Sequence, residues 1–153
     1  MGGLKKGRVV LGWREWAALP GLGIPRIKAK LDTGARTSAL HAFTVAPLRR
    51  RGRSLVRFGV HPLQGRDEPV VWCEAEVADR RVVADSSGHR ERRYVIVSDL
   101  MLAGERYPVE ITLTDRDSMR FRMLIGRTAL YRRFVVDPAL SYRAPAVSPL
   151  ASR

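Results

Sequence analysis

The sequence is poor in cysteine, in acidic side chains and in long apolar runs. Cys73 is the only cysteine among 153 residues, so no disulfide can form within the chain, as is usual in a reducing cytoplasm. No apolar run reaches the length of about 18 residues that indicates a transmembrane helix. The basic N-terminus is followed by no apolar signal core, and we therefore expect a cytoplasmic protein without membrane attachment.

The shortage of acidic residues leaves a large excess of positive charge. Lysine and arginine total 28 against 15 aspartates and glutamates, which gives a formal net charge of +13 and a pI near 11.2. Such a surface attracts polyanions. Three explanations stay open: a nucleic-acid partner, an acidic peptide, or a general arginine bias of the source genome, since arginine greatly outnumbers lysine.

Short alternating segments separated by turn residues predict an all-β, barrel-like domain. The length suits one domain with its own core. We expect a basic extension over residues 1–8, a domain over 9–142 and a loose tail over 143–153. Within the domain, the pattern predicts strands at 9–13, 26–31, 54–60, 69–77, 100–102, 107–113, 121–125 and 134–137, a basic loop at 49–53 and one helix at 126–131.

The predicted strand at 26–31 runs directly into Asp32, Thr33 and Gly34. A strand fixes the position of the acid that follows it, and the threonine hydroxyl can hold the turn by hydrogen bonding. Glycine lets the backbone turn sharply and leaves room for a ligand to approach the carboxylate. This arrangement is typical of a carboxylate catalyst, although an ordinary strand-to-turn aspartate has the same three-residue pattern.

A second feature is a predicted hairpin whose arms, residues 80–84 and 92–97, flank a glycine-bearing tip at 85–91. Two strand-like arms around a small polar tip indicate a mobile hairpin. Arginines at its base, Arg90, Arg92 and Arg93, predict a lid that grips carboxylates, because a guanidinium binds a carboxylate with two parallel hydrogen bonds.

Three segments carry a family resemblance: residues 31–42 (LDTGARTSALHA), 86–91 (SSGHRE) and 113–119 (LTDRDSM). With the apolar Gly-Arg segment at 123–127, they resemble the bacterial retropepsin-like proteases found with RimK-type glutamate ligases, once labelled ATP-dependent zinc proteases. The resemblance extends over residues 11–142. It implies a closed acid-protease barrel with one lobe per chain, a flap hairpin and one short helix.

Aspartic proteolysis needs two carboxylates that share a proton, and this chain has one Asp-Thr-Gly. The other late aspartates are not followed by Thr-Gly: Asp115, Asp117 and Asp137. A single-lobe chain completes such a pair only by association about a two-fold axis. The resemblance implies the same arrangement, a homodimeric aspartic peptidase in which each subunit contributes Asp32 with Thr33 and Gly34.

The resemblance also implies a substrate and a partner. The related bacterial proteases are thought to trim oligo-glutamate tails that RimK-type ligases add to the C-terminus of a ribosomal protein. We therefore expect an acidic peptide or glutamate-tailed ribosomal protein as substrate and a RimK-type ligase as a further partner. The residue after Gly-Ala is acidic in viral relatives but is an arginine here, which favours acidic peptides. The expected substrate-binding residues are Ala35, Arg36, Ser86, Ser87, Gly88, His89 and Arg90.

A zinc site and a non-enzymatic function are the two alternatives to a metal-free peptidase. A zinc site is disfavoured because the three histidines are far apart in sequence and no His-Glu-x-x-His occurs, so we expect no metal and no other cofactor. The main alternative function is a non-enzymatic basic module that binds RNA or the ribosome, with Asp32 as a structural turn residue. It predicts strongly salt-dependent nucleic-acid binding that does not need the Asp32 carboxylate.

Overall fold

The computed structural model describes residues 8–85, 87–115 and 120–145, and within them the fold is all-β with one short α-helix, as the sequence predicts. No helix in this part of the chain has the length and apolar character needed to span a bilayer. The elements are β1 (Val9–Gly12), β2 (Arg14–Leu19), β3 (Ile24–Asp32), β4 (Ser38–His41), β5 (Thr44–Arg50), β6 (Arg53–Val60), β7 (Val71–Glu76), β8 (Asp79–Ala84), β9 (Arg90–Leu102), β10 (Glu105–Thr114), β11 (Met123–Gly126), α1 (Arg127–Leu130) and β12 (Phe134–Asp137).

The main sheet closes on itself and forms the predicted barrel. Its strands follow the order β10-β4-β11-β3-β2-β9, and β9 pairs back with β10. Strand β8 is added to the outside of this ring by antiparallel pairing with β9, which gives the flap hairpin. Because a closed ring leaves no free edge among its members, the strand that bears Asp32 is held on both sides, by β2 and by β11.

The barrel interior is formed by one alternating set of side chains from each strand. In β3, Ile27, Ala29 and Leu31 are buried, whereas Lys28 and Lys30 lie on the outer face. This period of two is the pattern from which the strand was predicted. The same alternation places Asp32 on the outer face, where it is half-buried.

The predicted basic loop at 49–53 was wrong in its bounds, because Arg49 and Arg50 end β5, Arg53 begins β6, and only residues 51 and 52 form the turn between them. Arg50 ends β5 and forms an ion pair with Glu74, while Arg53 begins β6 and lies 2.7 Å from Glu76. The alternation of apolar and polar residues in Thr44–Arg50 is weak, which is why the sequence did not predict β5. The basic run is therefore a tight turn whose flanking arginines are partly neutralised across the sheet.

The bounds of the other predicted elements differ less from those in the structure. The helix is a single turn, Arg127–Leu130, and the strand before it is Met123–Gly126, so Gly126 ends a strand instead of opening the helix. The two separate segments expected around residues 92–102 form one long strand, Arg90–Leu102, which pairs with β8 and then with β10. One strand thus serves both hairpins and connects the flap to the barrel.

The sheet β5-β6-β7 packs on the barrel through Val56, Phe58 and Val60, which belong to the same core as the barrel residues. Cys73 lies at this contact, and its thiol is 3.4 Å from the carbonyl oxygen of Leu22, which it approaches as a donor. Burial raises the pKa of the Cys73 thiol to about 11. The thiol is therefore protonated at neutral pH and is a poor nucleophile or metal ligand.

A buried carboxylate ties the two ends of the described chain together. Glu15 is fully buried, and its carboxylate accepts hydrogen bonds from the backbone N–H groups of Gly12 at 2.7 Å, Arg143 at 2.8 Å and Ala144 at 2.9 Å. Strand β1 also pairs in parallel with β12. Only residues 143–145 of the predicted tail are described; two of them bind Glu15, and the boundary at residue 143 stays a prediction.

The loop after β3 crosses directly over the end of β11. A methyl group on Gly126 would lie 2.6 Å from the backbone carbonyl carbon of Thr37 and 2.9 Å from the carbonyl oxygen of Ala35. The N–H of Gly126 also donates to the Ser38 hydroxyl at 3.1 Å. Only glycine allows this approach, so residue 126 sets how closely the Asp32 loop packs on the barrel.

Glu15→Gln is expected to lower the free energy of unfolding by roughly 2–4 kcal/mol, because one of its acceptor oxygens becomes an NH2 that faces buried N–H donors. Chemical denaturation measures this. Glu76→Gln is the matched control, since its carboxylate pairs with Arg53 on an exposed surface. Equal stability of the two variants would show that the three N–H contacts of Glu15 contribute little.

Gly126→Ala is expected to cost about 1–3 kcal/mol through overpacking against the Asp32 loop. Gly21→Ala is the control, because the nearest atom to its added methyl is the Ser98 hydroxyl at 3.6 Å, an ordinary contact. Thermal melting of both variants gives the comparison. A Gly126→Ala protein that melts at the wild-type temperature would contradict the close approach of the loop.

Candidate active site

Asp32 is the last residue of β3, and its side chain is fixed by the turn that follows. The carboxylate oxygen Oδ1 accepts a hydrogen bond from the N–H of Gly34 at 3.0 Å, and the backbone carbonyl of Asp32 accepts one from the N–H of Ala35 at 3.2 Å. In register, Asp32 lies opposite Gly126 on the parallel strand β11. The acid is therefore held at a defined position while its second oxygen, Oδ2, is left for other contacts.

The segment at the start of α1 clamps the loop after Asp32. The backbone N–H of Arg127 donates to the carbonyl of Ala35 at 2.8 Å, and the N–H and hydroxyl of Thr128 donate to the carbonyl of Arg36 at 3.2 and 2.8 Å. The guanidinium of Arg127 lies 3.3 Å from the carbonyl oxygen of Gly34. Arg127 thus binds the loop backbone beneath the acid, which makes it a positioning residue.

The side chains of Thr33 and Arg36 and the backbone of Gly34 are exposed, next to a half-buried Asp32. The positive charge of Arg36 reaches Glu110, whose pKa is held below its usual range mainly by hydrogen bonds from Arg81 and to a lesser degree by the charge of Arg36. The turn after Asp32 is accordingly open to a second molecule, and the charge next to it is positive.

A row of buried polar contacts runs from the flap strand to the loop. Glu91 accepts from the guanidinium of Arg93 at 3.3 Å, and Arg93 donates to the hydroxyl of Thr112 at 3.3 Å. That hydroxyl lies 3.3 Å from the carbonyl of Ser38, whose own hydroxyl accepts the N–H of Gly126 at 3.1 Å. The flap strand, β10, β4 and β11 are therefore joined by polar contacts behind the Asp32 loop.

The prediction that Arg93 belongs to a substrate-gripping lid was wrong. Its side chain is only 9% exposed and is paired with Glu91 and Thr112. Strand alternation explains the difference, because residues 91, 93 and 95 face inward while Arg90 and Arg92 are exposed. Of the three arginines at the flap base, Arg90 and Arg92 are placed where an external carboxylate can reach them.

The tip of the flap is a tight turn built on Asp85. Its carboxylate oxygen Oδ1 accepts hydrogen bonds from the N–H of Ser87 at 3.0 Å, the hydroxyl of Ser87 at 2.7 Å and the N–H of His89 at 2.9 Å. Gly88 has a φ of 88°, a conformation that favours glycine. Ser87, Gly88, His89 and Arg90 are all exposed, and the predicted contact residue Ser86 lies outside the described residues.

The structure therefore brings the predicted site residues into two groups. Asp32, Thr33, Gly34, Ala35 and Arg36 form one loop at the end of β3, and residues 87–90 form the flap tip. Within the described part of a single chain, no hydrogen bond joins the flap tip to the Asp32 loop. The roles of both groups in catalysis and substrate binding stay predictions.

None of the three histidines belongs to this loop. His61 stacks on Phe43 with ring centroids 4.2 Å apart, His41 is buried beside Arg122, and His89 is at the flap tip. Across residues 8–85, 87–115 and 120–145, no group of three or more His, Cys, Asp or Glu side chains gathers in a metal-binding arrangement.

Three residues with a part in the site were missed from the sequence: Ser38, Asp85 and Glu91. Asp85 could have been found, because Asp followed by Ser-Ser-Gly is a turn signature in which the carboxylate binds N–H groups two residues on. Ser38 and Glu91 had no such signal. Ser38 contacts Gly126, which is 88 positions away in sequence, and Glu91 contacts Thr114, which is 23 positions away. Only the closed barrel brings these residues together.

Comparison with known proteins supports the same fold. The solved structure of a protein of unknown function from Legionella pneumophila superposes with a TM-score of 0.72 at 26% identity, over 88% of this chain and 97% of that one. This chain is 46% identical over 135 residues to a protein of Shewanella pealeana and over 136 residues to one of Parasynechococcus marenigrum, each named a probable alpha-L-glutamate ligase.

Those matches cover 88–89% of this chain but only 29–30% of each relative's length. The name of the larger protein therefore cannot be carried over to this chain. The family model of the RimB-like retropepsin-like aspartic endopeptidases matches residues 10–146, nearly all of the sequence. The chain belongs to the RimB-like family of retropepsin-like aspartic endopeptidases.

Proposed function

We propose that this protein is a homodimeric aspartic peptidase that hydrolyses peptide bonds in glutamate-rich tails. The observation that carries the proposal is the geometry of Asp32, an acid at the end of a barrel strand, fixed through Gly34 and partly exposed to solvent. Family membership supports the reaction class. The second carboxylate of the pair comes from Asp32 of another copy, since one chain supplies one such turn.

In the mechanism, the two Asp32 carboxyl groups face each other across a two-fold axis and share one proton, because two like charges at close range cannot both persist. The ionised group takes a proton from a water molecule held between them, and that water attacks the scissile carbonyl carbon. The protonated group donates to the carbonyl oxygen. Collapse of the tetrahedral intermediate then releases the amine, which receives a proton from the pair.

The loop geometry assigns roles to the neighbouring residues. Gly34 holds its own Asp32 through the N–H to Oδ1 bond and leaves space for the substrate backbone. Thr33 braces the turn against the partner subunit. Ala35, Arg36 and the flap tip, residues 86–90, contact the substrate, with Arg36 and Arg90 presenting charge to carboxylates.

The relatives favour glutamate as the substrate residue. Proteins named as probable alpha-L-glutamate ligases contain a region 46% identical to this chain within polypeptides about three times as long. A hydrolase domain in the same polypeptide as a ligase is well placed to cleave the bond that the ligase makes. We therefore propose a glutamate-tailed protein as substrate, with the C-terminus of a ribosomal protein as the expected example, and a RimK-type ligase as the partner.

The surface gives less support to the alternative function, a basic RNA-binding module. On the face formed by β2 and β3, cations already cover the Trp16 ring. The Arg26 guanidinium lies 4.0 Å and the Lys28 ammonium 5.2 Å from the centre of that ring. Rings covered in this way are poorly suited to stack on bases. Salt-dependent RNA binding that is unchanged by Asp32→Asn, without peptide cleavage, would favour the alternative.

Asp32→Asn is expected to lower peptidase activity by about 10²–10⁴-fold, because a general acid–base catalyst contributes that much. Folding should be preserved, since an amide oxygen can still accept the N–H of Gly34. The assay is mass spectrometry of a glutamate-tailed peptide, with circular dichroism to confirm the fold. Full activity in the folded variant would eliminate Asp32 as the catalyst.

Mixing wild-type and variant subunits tests whether the active species is a dimer. Wild-type subunits exchanged with excess Asp32→Asn subunits should lose activity beyond simple dilution, because mixed dimers have one catalytic carboxylate. Wild type mixed with excess Gly21→Ala subunits is the control and should lose none. Activity that falls only in proportion to the wild-type fraction, after exchange is verified by native mass spectrometry, would show that each chain works alone.

The substrate preference should be electrostatic. A peptide with a glutamate tail is expected to be cleaved faster than its glutamine analogue, and the ratio should shrink between about 0.1 and 1 M salt, where the screening length falls from about 10 to 3 Å. Initial rates at both salt concentrations measure it. Equal cleavage of the two peptides would reduce the activity to that of a general peptidase.

A further inference from the structure

The outer face of β3 carries a lysine next to the proposed catalytic acid. Residues 28, 30 and 32 alternate with the buried residues 27, 29 and 31, so Lys30 and Asp32 lie on the same face. Two residues along a strand correspond to about 6.6–6.8 Å. Lys30 is exposed, and its flexible stem can bring the ammonium group over the substrate side of Asp32.

Lys30 lies in an unfavourable electrostatic position. It is directly opposite Arg14 on β2 and opposite Leu124 on β11. Like charges placed directly opposite each other across two strands are destabilising. Glu15, which follows Arg14 on β2, does not form an ion pair with Lys30. It faces the interior and binds three backbone N–H groups.

The neighbouring cations on this face are engaged by aromatic rings. The Arg14 guanidinium lies 4.7 Å from the centre of Trp13 and 5.0 Å from that of Tyr142, and Arg14 Nε donates to the Ser141 hydroxyl at 3.2 Å. The Lys28 ammonium lies 5.2 Å from Trp16. Such contacts hold a cation in place.

Lys30 has no comparable partner within the described ranges, neither a ring, nor a carboxylate, nor a hydrogen-bond acceptor. It is therefore a positive group beside Asp32 that the fold itself does not use. A charge kept at a cost to folding, next to a reactive group, is the pattern expected of a functional residue.

We propose that Lys30 determines specificity by binding the carboxylate of a substrate glutamate close to the scissile peptide bond. The inference rests on the proposed function, because the substrate must lie over Asp32. It goes further by assigning the recognition to one side chain that precedes the motif, in addition to the arginines of the turn and flap. Lys28, two residues further from Asp32 and held against Trp16, serves as a packing residue.

The experiment compares two peptides on four proteins. The peptides have a glutamate tail or its glutamine analogue, and the proteins are wild type, Lys30→Met, Lys30→Arg and Lys28→Met. Lys30→Met and Lys28→Met remove the same charge from the same strand face, so they separate a local contact from the general field. Chemical denaturation of each protein reports whether the substitution acts through folding.

Lys30→Met is expected to lower kcat/KM for the glutamate peptide by roughly tenfold, the effect of one charge-assisted hydrogen bond. It should change the glutamine peptide by less than about twofold and leave the protein no less stable, because it relieves the repulsion with Arg14. Lys30→Arg should retain the glutamate preference. Lys28→Met should also retain it.

An equal change in the preference with Lys30→Met and Lys28→Met would overturn the inference, as would no change with Lys30→Met. A failure of the proposed function is recognised separately. If wild type cleaves neither peptide, binding of a pentaglutamate peptide to wild type and Lys30→Met is measured by calorimetry. Weaker binding by Lys30→Met would keep the carboxylate site while the peptidase proposal fails, and equal binding would remove both.

Discussion

The close approach of the loop after β3 to the glycine that ends β11 is the constraint on which the site depends. The backbone of Ala35 and Thr37 lies where any side chain at Gly126 would be. Once the loop is seated there, the N–H groups of Arg127 and Thr128 reach its carbonyl groups and fix it. Asp32 is held at the start of this loop, so its position follows from a backbone contact instead of from side-chain packing around the acid.

The barrel turns that local contact into a rigid site. Strand β11 lies between β3 and β4 in the sheet. It pairs in parallel with β3 and antiparallel with β4. The two ends of the Asp32 loop are thus hydrogen-bonded to one strand. The buried contacts from Glu91 through Arg93 and Thr112 to Ser38 extend this support to the strand that bears the flap.

The excess of positive charge is divided unevenly over the molecule. Fifteen carboxylates cannot neutralise 28 cations, and several carboxylates are paired away from the Asp32 loop, as in Arg50 with Glu74, Arg53 with Glu76 and Arg106 with Asp99. Arg36 and Lys30, on either side of Asp32, are exposed. Positive charge therefore lies on both sides of the acid along the chain, as the proposed anionic substrate requires.

Much of the architecture could be predicted from the sequence because it depends on local signals. Alternation gave strand β3 and placed Asp32 on its outer face, and glycine with flanking strands indicated the flap. The 12-residue motif around Asp32 identified the family and, with it, the barrel.

What could not be predicted depends on contacts between distant residues or on burial. The inward orientation of Arg93 follows from the register of one long strand, which the sequence had suggested to be two segments. The three N–H groups on Glu15 come from both ends of the described chain. The strand Thr44–Arg50 has little periodicity of its own and forms by pairing with β6.

The most direct test of the central claim, that Asp32 activates water for peptide hydrolysis, is cleavage of a glutamate-tailed peptide in oxygen-18 water, followed by mass spectrometry. The account predicts one labelled oxygen in each new C-terminal carboxyl group, no covalent adduct on the protein at any time, and about 10²–10⁴-fold less product with the folded Asp32→Asn protein. Cleavage by that variant at the wild-type rate, or a peptide adduct on the wild-type chain, would contradict it.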